Sequence, residues 1–545
     1  MVFSQLIDQL LQDTTVRSLP FFSAELCLSA TILLMLFVRL FNADRVFPAY
    51  VVAVLGAAAA LFCSWKQFAS LDSGESPLSQ TFFTGLMVQD LFSVYFRAFL
   101  SLFLLLTVAL TTLTGIPDQE DSPDFYSLLF GATIGMMLMA GSNHLLMLFL
   151  AVEMASVPSY ALVGFLKGRR PSSEAALKYV VYGAGAAGVM LYGISLLAGV
   201  LGTGDMSLLS ERLAQAAGGG EHQALISDPE VRTAALGVML IMVGLAFKLS
   251  LVPFHFWCPD AFEGASAEVA GFLSVASKAG AFALLVRLCV SLTGTPGTEE
   301  LMTAFGIALG AVACVTATFG NLAAYSQNNL KRLLAYSTIA HAGYMLMAVS
   351  AMLVMQNHAR AGEFSVHIQQ SVEGLLYYLA VYMFMNLGAF AVIALARNYT
   401  FSEEMDSMKG LISQSPVLCI AMLICVFSLV GLPPFGGFFA KLMIFAAAFK
   451  AGELHWFMYV VVAFGGLNTI LGLFYYIRIM RTMFLEQRPA DARKVPVRTM
   501  SLEGSYVMAL AIFVLLLGIL PGVMSGLSRT ANAAAESVVH AATNR

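Results

Sequence analysis

The sequence predicts an all-α membrane protein that crosses the bilayer about 14 times. Apolar residues make up 59% of its 545 residues and charged residues only 11%, whereas soluble domains are nearer half apolar and a quarter charged. The mean hydropathy is +0.80. Runs of roughly 20 apolar residues recur along the chain, the length that a helix needs to cross a hydrocarbon core of ~30 Å. Because these runs are continuous rather than alternating, they indicate helices and not the strands of a membrane barrel.

Short polar breaks separate the predicted spans. The longest, about Gly202 to Arg232, contains three consecutive glycines and predicts a surface loop with a short amphipathic helix near Leu208 to Ala217. A similar break is predicted near Asn357 to Gln370. The spans are predicted at residues 19–41, 48–68, 86–112, 125–143, 145–166, 172–202, 233–263, 265–290, 301–322, 331–355, 371–397, 414–450, 455–484 and 503–526.

The distribution of basic residues predicts the orientation of the chain. If the N-terminus lies outside, the odd-numbered spans end on the inner side, beside most of the basic residues, such as Lys331, Arg332 and Arg397. The positive-inside rule therefore favours both termini outside. The formal net charge of −4 gives no indication of a nucleic-acid partner.

The seven cysteines lie mostly inside apolar runs, with no C-x-x-C pair and no cluster with histidine. We predict that they are packing residues rather than metal ligands or members of disulfides. The chain is therefore expected to carry no iron–sulfur cluster, no haem and no metal site.

Two long spans, the seventh and the twelfth, are interrupted by proline. Phe247 to Gly264 reads FKLSLVPFHFWCPDAFEG, with Pro253 in its first half, and Phe427 to Leu442 reads FSLVGLPPFGGFFAKL, with Pro434. Proline frees a backbone carbonyl, which at membrane depth is tolerated only inside protein or beside water. Broken helices at matching places in two halves indicate a transport pathway.

The two breaks lie five spans apart, as expected for two inverted five-helix repeats over spans 4–8 and 9–13. This interpretation divides the chain into four regions. They are residues 1–124 with spans 1–3, 125–290 as the first repeat, 301–486 as the second repeat, and 487–545 with span 14 and a tail.

Several ionisable side chains lie where the apolar runs predict the bilayer interior. Placing a charged side chain there costs ~2.5–3.5 kcal/mol on the scale derived from translocon insertion, which gives the lowest values, so each must be paired or hydrated. Glu153 lies nine residues beyond His144, or ~13 Å along a helix. Lys248 lies just before the first break, Lys278 near the middle of span eight, and Lys441 after the second break.

Such groups are suited to proton transfer. Removal from water disfavours the charged form of a lysine, so a buried lysine can accept and release a proton. A carboxylate that approaches it restores its charge, so movement of Glu153 relative to a lysine would load or unload a proton. His255, seven residues after Lys248, would share its helix face if the break did not rotate them. His341, within an apolar helix, is a candidate relay.

For each of these groups the alternative is a fixed ion pair that braces helices. Lys178 follows Glu174 by four residues, which predicts an ordinary helical ion pair as readily as a role in transport. We predict that Arg97 and Arg287 pair or extend to the interface rather than conduct.

At these residues the sequence resembles the antiporter-like subunits of respiratory complex I, the NADH:quinone oxidoreductase, most closely the bacterial N type. The matching stretches include SSEAALKYVVYGAGAAGVMLYGISLLAG, FLSVASKAGAF, NNLKRLLAYSTIAHAGYMLMA and both interrupted spans, and they extend over roughly Glu153 to Leu442. The larger L and M types and the Mrp cation/proton antiporters are similar. The segments SSEAALKY and VPFHFWCPDAFEGAS are closer to those of the N type.

The resemblance implies a proton path through the membrane centre. It would make Glu153 the carboxylate that pairs with Lys248, with Lys178 modulating this pair. Lys278 would be the central proton relay, and Lys441 would continue the proton path towards the outer side of the membrane. The implied relay residues are Glu153, Lys178, Lys248, His255, Lys278, His341 and Lys441.

The resemblance also implies that NADH, FMN, iron–sulfur clusters and most of the quinone site belong to other subunits. The expected partners are an adjacent M-type subunit, a small K-type subunit and the lipid of the bacterial inner membrane. One departure is GASAEV, Gly264 to Val269, where related chains usually read GAPTPV; this removes a proline from the predicted start of span eight.

Two other functions stay open. A stand-alone or Mrp-type cation/proton antiporter would favour added carboxylates or carbonyl cages for sodium at its centre, whereas this chain offers lysines and one central glutamate. A mainly structural membrane subunit with vestigial charges predicts that Lys278→Ala leaves pumping intact.

Overall fold

The computed structural model describes residues 3–41, 47–73, 79–118, 121–216, 228–293, 299–356, 365–490 and 492–543. Thirteen described helices are long and apolar enough to cross a membrane. The helix Pro416–Val430, bent by 116° against the short helical segments before it, raises the number to as many as 14. The predicted all-α membrane class and number of spans are confirmed.

The helices and strands follow one another along the chain with short connections. They are α1 Phe3–Gln12, α2 Ser23–Leu40, α3 Ala49–Asp72, β1 Ser79–Phe82, β2 Met87–Asp90, α4 Leu91–Thr114, α5 Ser122–Gly141, α6 Leu145–Val163, α7 Arg170–Leu201, α8 Leu209–Ala216, α9 Pro229–Leu249, α10 Trp257–Gly264, α11 Ala267–Phe272, α12 Lys278–Ser291, α13 Glu299–Ala324, α14 Leu330–Gln356, α15 Ser365–Thr400, α16 Pro416–Val430, α17 Gly436–Ala451, α18 Phe457–Phe484, α19 Leu502–Ile519 and α20 Pro521–Thr543.

Two predicted boundaries near the N-terminus are wrong. Helical structure begins at Phe3 rather than near Leu19, because π-helical and 3-10 segments join α1 to α2. The third span begins at Leu91, because the residues before it form the antiparallel hairpin β1–β2. Asp90 ends the hairpin and caps α4: its side chain accepts from Ser93 N at 2.8 Å, and Asp90 N donates to Ser93 Oγ at 3.1 Å.

Two predicted loop segments are partly helical. The short helix α8 confirms the amphipathic helix predicted near Leu208 to Ala217, while the three glycines of that loop lie outside the described residues. The break predicted near Asn357 to Gln370 is wrong in its second part, where α15 begins at Ser365. Its first part lies outside the described residues.

The C-terminal end also differs from the prediction. The fourteenth span ends at Ile519 rather than near residue 526, because a new helix, α20, begins at Pro521. Proline is favoured in the first turn of a helix, where its missing N–H would have no partner. α20 packs on α15, where Ser528 Oγ and Asn532 Nδ2 both donate to the carboxylate of Glu373.

The eighth, tenth and eleventh spans form the centre of the bundle. α11 and α12, joined by a π-helical segment at Leu273–Ser277, are almost wholly buried, as are α14 and α15. By contrast, α3, α7 and α18 leave most of their surface exposed, as helices facing lipid do. Lys278 on α12, His341 on α14 and Glu373 on α15 are therefore enclosed by protein.

Candidate proton path

The two interrupted spans end their first helices in the same way. α9 ends before Ser250, which has a left-handed φ of 58°, and α16 ends before Gly431, with a φ of 89°. Pro253 and Pro434 each lie three residues further on, so the helix cannot resume at once. The predicted interruptions are present at matching positions in the two spans.

A buried lysine occupies the carbonyl end of the first interrupted helix. Lys278, on α12 and 1% exposed, donates from Nζ to Leu249 O at 3.2 Å and to Ser250 Oγ at 3.1 Å. Trp257 Nε1 donates to a further carbonyl of that helix end, Phe247 O, at 2.8 Å. A cation at a helix C-terminus is stabilised by the helix dipole, by up to ~2 kcal/mol where partly buried. Lys278 therefore binds the break and does not face lipid.

The second break repeats this arrangement with Lys441. Its Nζ donates to Val430 O at 2.8 Å and to Leu429 O at 3.2 Å, and lies 4.4 Å from the ring centroid of Tyr344. Glycine at position 431 gives the lysine room, since a Cβ there would lie 2.9 Å from Lys441 Cδ. Both interrupted helices thus end on a buried ammonium group.

Lys248 and Glu153 lie near each other but do not form a closed ion pair. Lys248 is 2% exposed, and its Nζ has no hydrogen-bond partner among the described residues. Glu153 is half-buried and lies within electrostatic range of Lys248. The phenol groups of Tyr160 and Tyr179 lie in range of the same carboxylate. Glu153 and Lys248, which were predicted to pair, therefore lie near each other without a direct hydrogen bond.

Lys178 lies in a different group of charges. Its Nζ is 3.0 Å from Glu174 and 3.0 Å from Asp260, and its side chain is 41% exposed. Arg332 binds the other oxygen of Asp260 at 2.7 Å and Glu263 at 2.6 Å. The predicted helical ion pair with Glu174 is confirmed. Lys178 contacts α10 through Asp260, so it touches the interrupted span and not Glu153 directly.

His255 lies in the non-helical stretch between α9 and α10. It is 3% exposed, and its ring centroid lies 4.4 Å from those of both Phe256 and Phe319. Its Nδ1 has no hydrogen-bond partner in the part of the chain that the structure describes. The end of α9 at Leu249 separates it from Lys248, so the two do not continue one helix face.

His341 is the centre of a hydrogen-bonded chain in the second half. Its Nδ1 lies 2.6 Å from Tyr378 Oη and its Nε2 lies 3.3 Å from Tyr476 Oη, which lies 2.5 Å from Ser337 Oγ. One nitrogen of a neutral imidazole donates while the other accepts, so such a chain can exchange a proton at both ends. Lys441 lies within electrostatic range of the ring.

The two arginines predicted to pair do so. Arg97 Nε lies 2.6 Å from Glu25 Oε1, with both side chains fully buried between α2 and α4. Arg287 Nη2 lies 2.6 Å from Asp90 Oδ1. The first pair joins α2 to α4, and the second joins α12 to the end of the β1–β2 hairpin.

Comparison with known proteins identifies the family. Residues 142–469 match the model of the NADH:quinone oxidoreductase/Mrp antiporter transmembrane family. Subunit N of NADH-quinone oxidoreductase from Anaeromyxobacter sp. is 35% identical over 532 residues, covering 92% of this chain and 95% of the relative. Subunit N 2 from Sorangium cellulosum is 38% identical over 517 residues, with the same coverage of both chains. The chain belongs to the subunit N family of NADH-quinone oxidoreductases.

Solved structures agree with this family. A chain of respiratory complex I from Thermus thermophilus with bound aureothin is 30% identical, with a TM-score of 0.70, and covers 92% of this chain and 98% of its own length. A chain of the Mrp complex from Dietzia sp. has a TM-score of 0.78 at 20% identity, covering 96% and 99%, which is a likeness of fold. As a subunit N family member, the chain is a multi-pass subunit of a multi-subunit membrane complex.

All seven predicted relay residues fall inside the segment that matches the family model. Among the described residues, no group of three or more His, Cys, Asp or Glu side chains could hold a metal ion.

The buried tyrosines around Lys441 and His341 were not predicted from the sequence. Tyr344 lies beneath the Lys441 ammonium and accepts from Asn321 Nδ2 at 3.3 Å, while Tyr475 Oη donates to Asn321 Oδ1 at 3.1 Å. The Tyr475 ring in turn packs against Tyr476, with centroids 4.3 Å apart and a tilt of 45°, and Tyr476 contacts His341. A buried tyrosine hydroxyl needs a partner, and tyrosine pairs inside apolar runs are the signal that could have indicated this network.

Proposed function

We propose that protons cross the membrane through the interior of this subunit, along the ionisable groups at the two helix breaks. The observation that supports this is the repeated placement of a buried lysine at the carbonyl end of an interrupted helix. Both of these lysines, Lys278 and Lys441, are enclosed by protein. The proposed path consists of Glu153, Lys178, Lys248, His255, Lys278, His341 and Lys441.

The pair Glu153 and Lys248 is proposed to load the path. When the carboxylate approaches Lys248, its charge favours the ammonium form, so the lysine takes up a proton. When it moves away, the buried ammonium loses this stabilisation and releases the proton. Lys178 is proposed to act on the break through its contact with Asp260, and His255 to link the break to Lys278.

Lys278 and Lys441 are proposed to couple protonation to the position of the broken helices. Hydrogen bonds from an ammonium group are roughly twice as strong as neutral ones, so deprotonation weakens the hold of each lysine on its carbonyls. A hydrogen bond to a charged group contributes ~1.5–3 kcal/mol, whereas moving one charge against 100 mV takes ~2.3 kcal/mol. The free energy of these hydrogen bonds is therefore similar to the work of moving one proton against a membrane potential of about 100 mV, so their making and breaking could control proton transfer. His341 and its tyrosines are proposed to connect the two lysines.

The wider organisation is also proposed. The matching breaks support two inverted five-helix repeats, over residues 125–290 and 301–486, flanked by spans 1–3 and by span 14 with its tail. The basic residues support both termini outside in a bacterial inner membrane. We expect M-type and K-type subunits as neighbours, with FMN, iron–sulfur clusters and the quinone held by other subunits.

The test uses the assembled complex in vesicles, with assembly checked on native gels. Lys248→Ala, Lys278→Ala and Lys441→Ala are each expected to lower proton pumping and coupled quinone reduction. The matched control is Lys167→Ala, since Lys167 is 76% exposed and pairs with Asp121 outside the path. Parental rates of proton pumping and coupled quinone reduction in all three assembled variants would reject the path.

The competing function has its own outcome in the same vesicles. A cation/proton antiporter would move protons in response to an imposed sodium gradient without electron transfer. We expect no proton movement under that gradient, because the centre of the described fold presents lysines rather than a carboxylate cage. Sodium-driven movement would favour the antiporter.

A further inference from the structure

A fully buried carboxylate, Glu268, lies on α11 and has no part in the path described above. Its Oε1 accepts from Arg397 Nη2 at 3.4 Å, and its Oε2 has no hydrogen-bond partner among the described residues. Charge-assisted bonds of this kind are normally ~2.7–2.9 Å long, and the Glu25–Arg97 pair of the same chain closes at 2.6 Å. Glu268 is therefore not held in a closed ion pair.

Glu268 lies in the segment in which this sequence departs from the pattern that it resembles. It stands in GASAEV, at the position of the second proline of GAPTPV. Burial of a carboxylate away from water is costly unless it is paired or hydrated. A glutamate in place of a proline at the start of a central span therefore calls for a role.

On the side away from Lys278, Glu268 borders charges that reach the protein surface. Lys331 on α14 lies within electrostatic range of it, and its Nζ donates to Ala265 O at 2.5 Å and pairs with Glu403 at 2.8 Å. The side chain of Glu403 is 15% exposed. The charged groups that face Glu268 are thus Arg397 from α15, Lys331 from α14 and, beyond Lys331, Glu403 after α15.

On the side that faces Lys278, polar groups continue from Glu268 along the span. The two residues are ten apart on one span, ~15 Å at helical rise. Between them, Asn386 Nδ2 of α15 donates to Ser274 Oγ, while Asn386 Oδ1 and Ser277 Oγ are buried without a partner among the described residues. The π-helical segment Leu273–Ser277 carries both serines, and such segments are frequent at functional sites.

We propose that Glu268 takes up protons from the side of Lys331 and Glu403 and passes them to Lys278 through waters held by Asn386 and Ser277. A proton from bulk water binds the Glu268 carboxylate, forming an O–H bond. The acid then releases this proton into the water chain, which delivers one to the neutral amine of Lys278. The products are the Lys278 ammonium and the regenerated carboxylate. This inference rests on the proposed role of Lys278.

The experiment compares variants of the assembled complex in vesicles. Glu268→Gln keeps the shape of the side chain but cannot carry a proton, and we expect proton pumping and coupled quinone reduction to fall at least fivefold. Glu268→Asp is expected to recover part of the activity. The matched control is Glu373→Gln, a buried carboxylate on α15 bound by Ser528 and Asn532, and it is expected to keep the parental rate.

A second variant tests the water route without altering the charges. Asn386→Leu has a similar volume and leaves Ser274 Oγ its bond to Gly271 O, and we expect the same fall in rate. Infrared difference spectra should also contain a protonated carboxyl band that Glu268→Gln removes. Normal pumping in Glu268→Gln, or a rate that falls equally in Glu373→Gln, would overturn the proposal.

Lys278→Ala, measured alongside, separates the two proposals. If Lys278→Ala lowers pumping and Glu268→Gln does not, the uptake route is wrong while the central path stands. If neither lowers pumping, both are wrong.

Discussion

Replacing Lys441 by methionine removes one positive charge from the second helix break and keeps a side chain of similar length. The lysine ammonium donates to Leu429 O and Val430 O and lies 4.4 Å from the ring centroid of Tyr344. A methionine thioether also packs favourably against an aromatic ring, so the contact with Tyr344 is largely retained. The substitution therefore tests the charge rather than the packing.

We expect the free energy of unfolding to change little, because two large terms oppose each other. The carbonyls of Leu429 and Val430 each lose a donor, at ~1–3 kcal/mol per buried group. Removal of a charge from the membrane interior recovers ~2.5–3.5 kcal/mol. Lys441→Met should therefore assemble.

The effect on proton pumping should be large. A proton that passes this break without the lysine loses charge-assisted hydrogen bonds of ~1.5–3 kcal/mol each, and ~1.4 kcal/mol corresponds to a tenfold change in rate. We expect coupled turnover to fall at least tenfold. The assay is quinone reduction with proton uptake in vesicles, at equal amounts of complex on native gels. Parental turnover in an assembled Lys441→Met complex would refute the role of the charge.

Three further substitutions have defined outcomes. Glu153→Gln should lower proton pumping several-fold in vesicles while assembly persists, because an amide cannot stabilise the Lys248 ammonium; an unchanged rate would exclude the loading role. Arg97→Met should lower assembly on native gels, since breaking a buried pair costs ~3–5 kcal/mol, and adding Glu25→Met should restore it; normal assembly of the single variant would contradict this. Gly437→Ala should destabilise the fold by ~1–3 kcal/mol through overpacking, because its Cβ would lie 2.0 Å from a backbone carbonyl oxygen, and should therefore lower the thermal midpoint of the purified complex. Gly466→Ala, with open space around it, should leave the midpoint unchanged.

The sequence was most informative where a residue conflicts with its surroundings. Pro253 and Pro434 predicted the helix breaks because proline has no N–H to continue a helix. Lys278 and Lys441 were conspicuous because a charge in an apolar run needs a partner. Their partners could not be predicted, since a lysine on α12 meets the end of α9 only after both have packed.

Other features carried no such conflict. Tyr378 and Tyr476 are compatible with apolar spans, so their hydroxyl bonds to His341 emerge only from the tertiary structure. The contact of Lys178 with Asp260 joins residues 82 positions apart, and local spacing suggested only Glu174. Asp90 and Ser93 did contain a capping signal for the start of α4, but the apolar residues before them resembled a continuing span.

The most direct test of a hydrated, ionisable interior is a structure of the assembled complex at a resolution that shows ordered water. We expect waters within hydrogen-bond distance of Lys248 Nζ that bridge it towards Glu153 and Lys278. A dry, wholly apolar surrounding of Lys248 Nζ would contradict proton transfer through these groups.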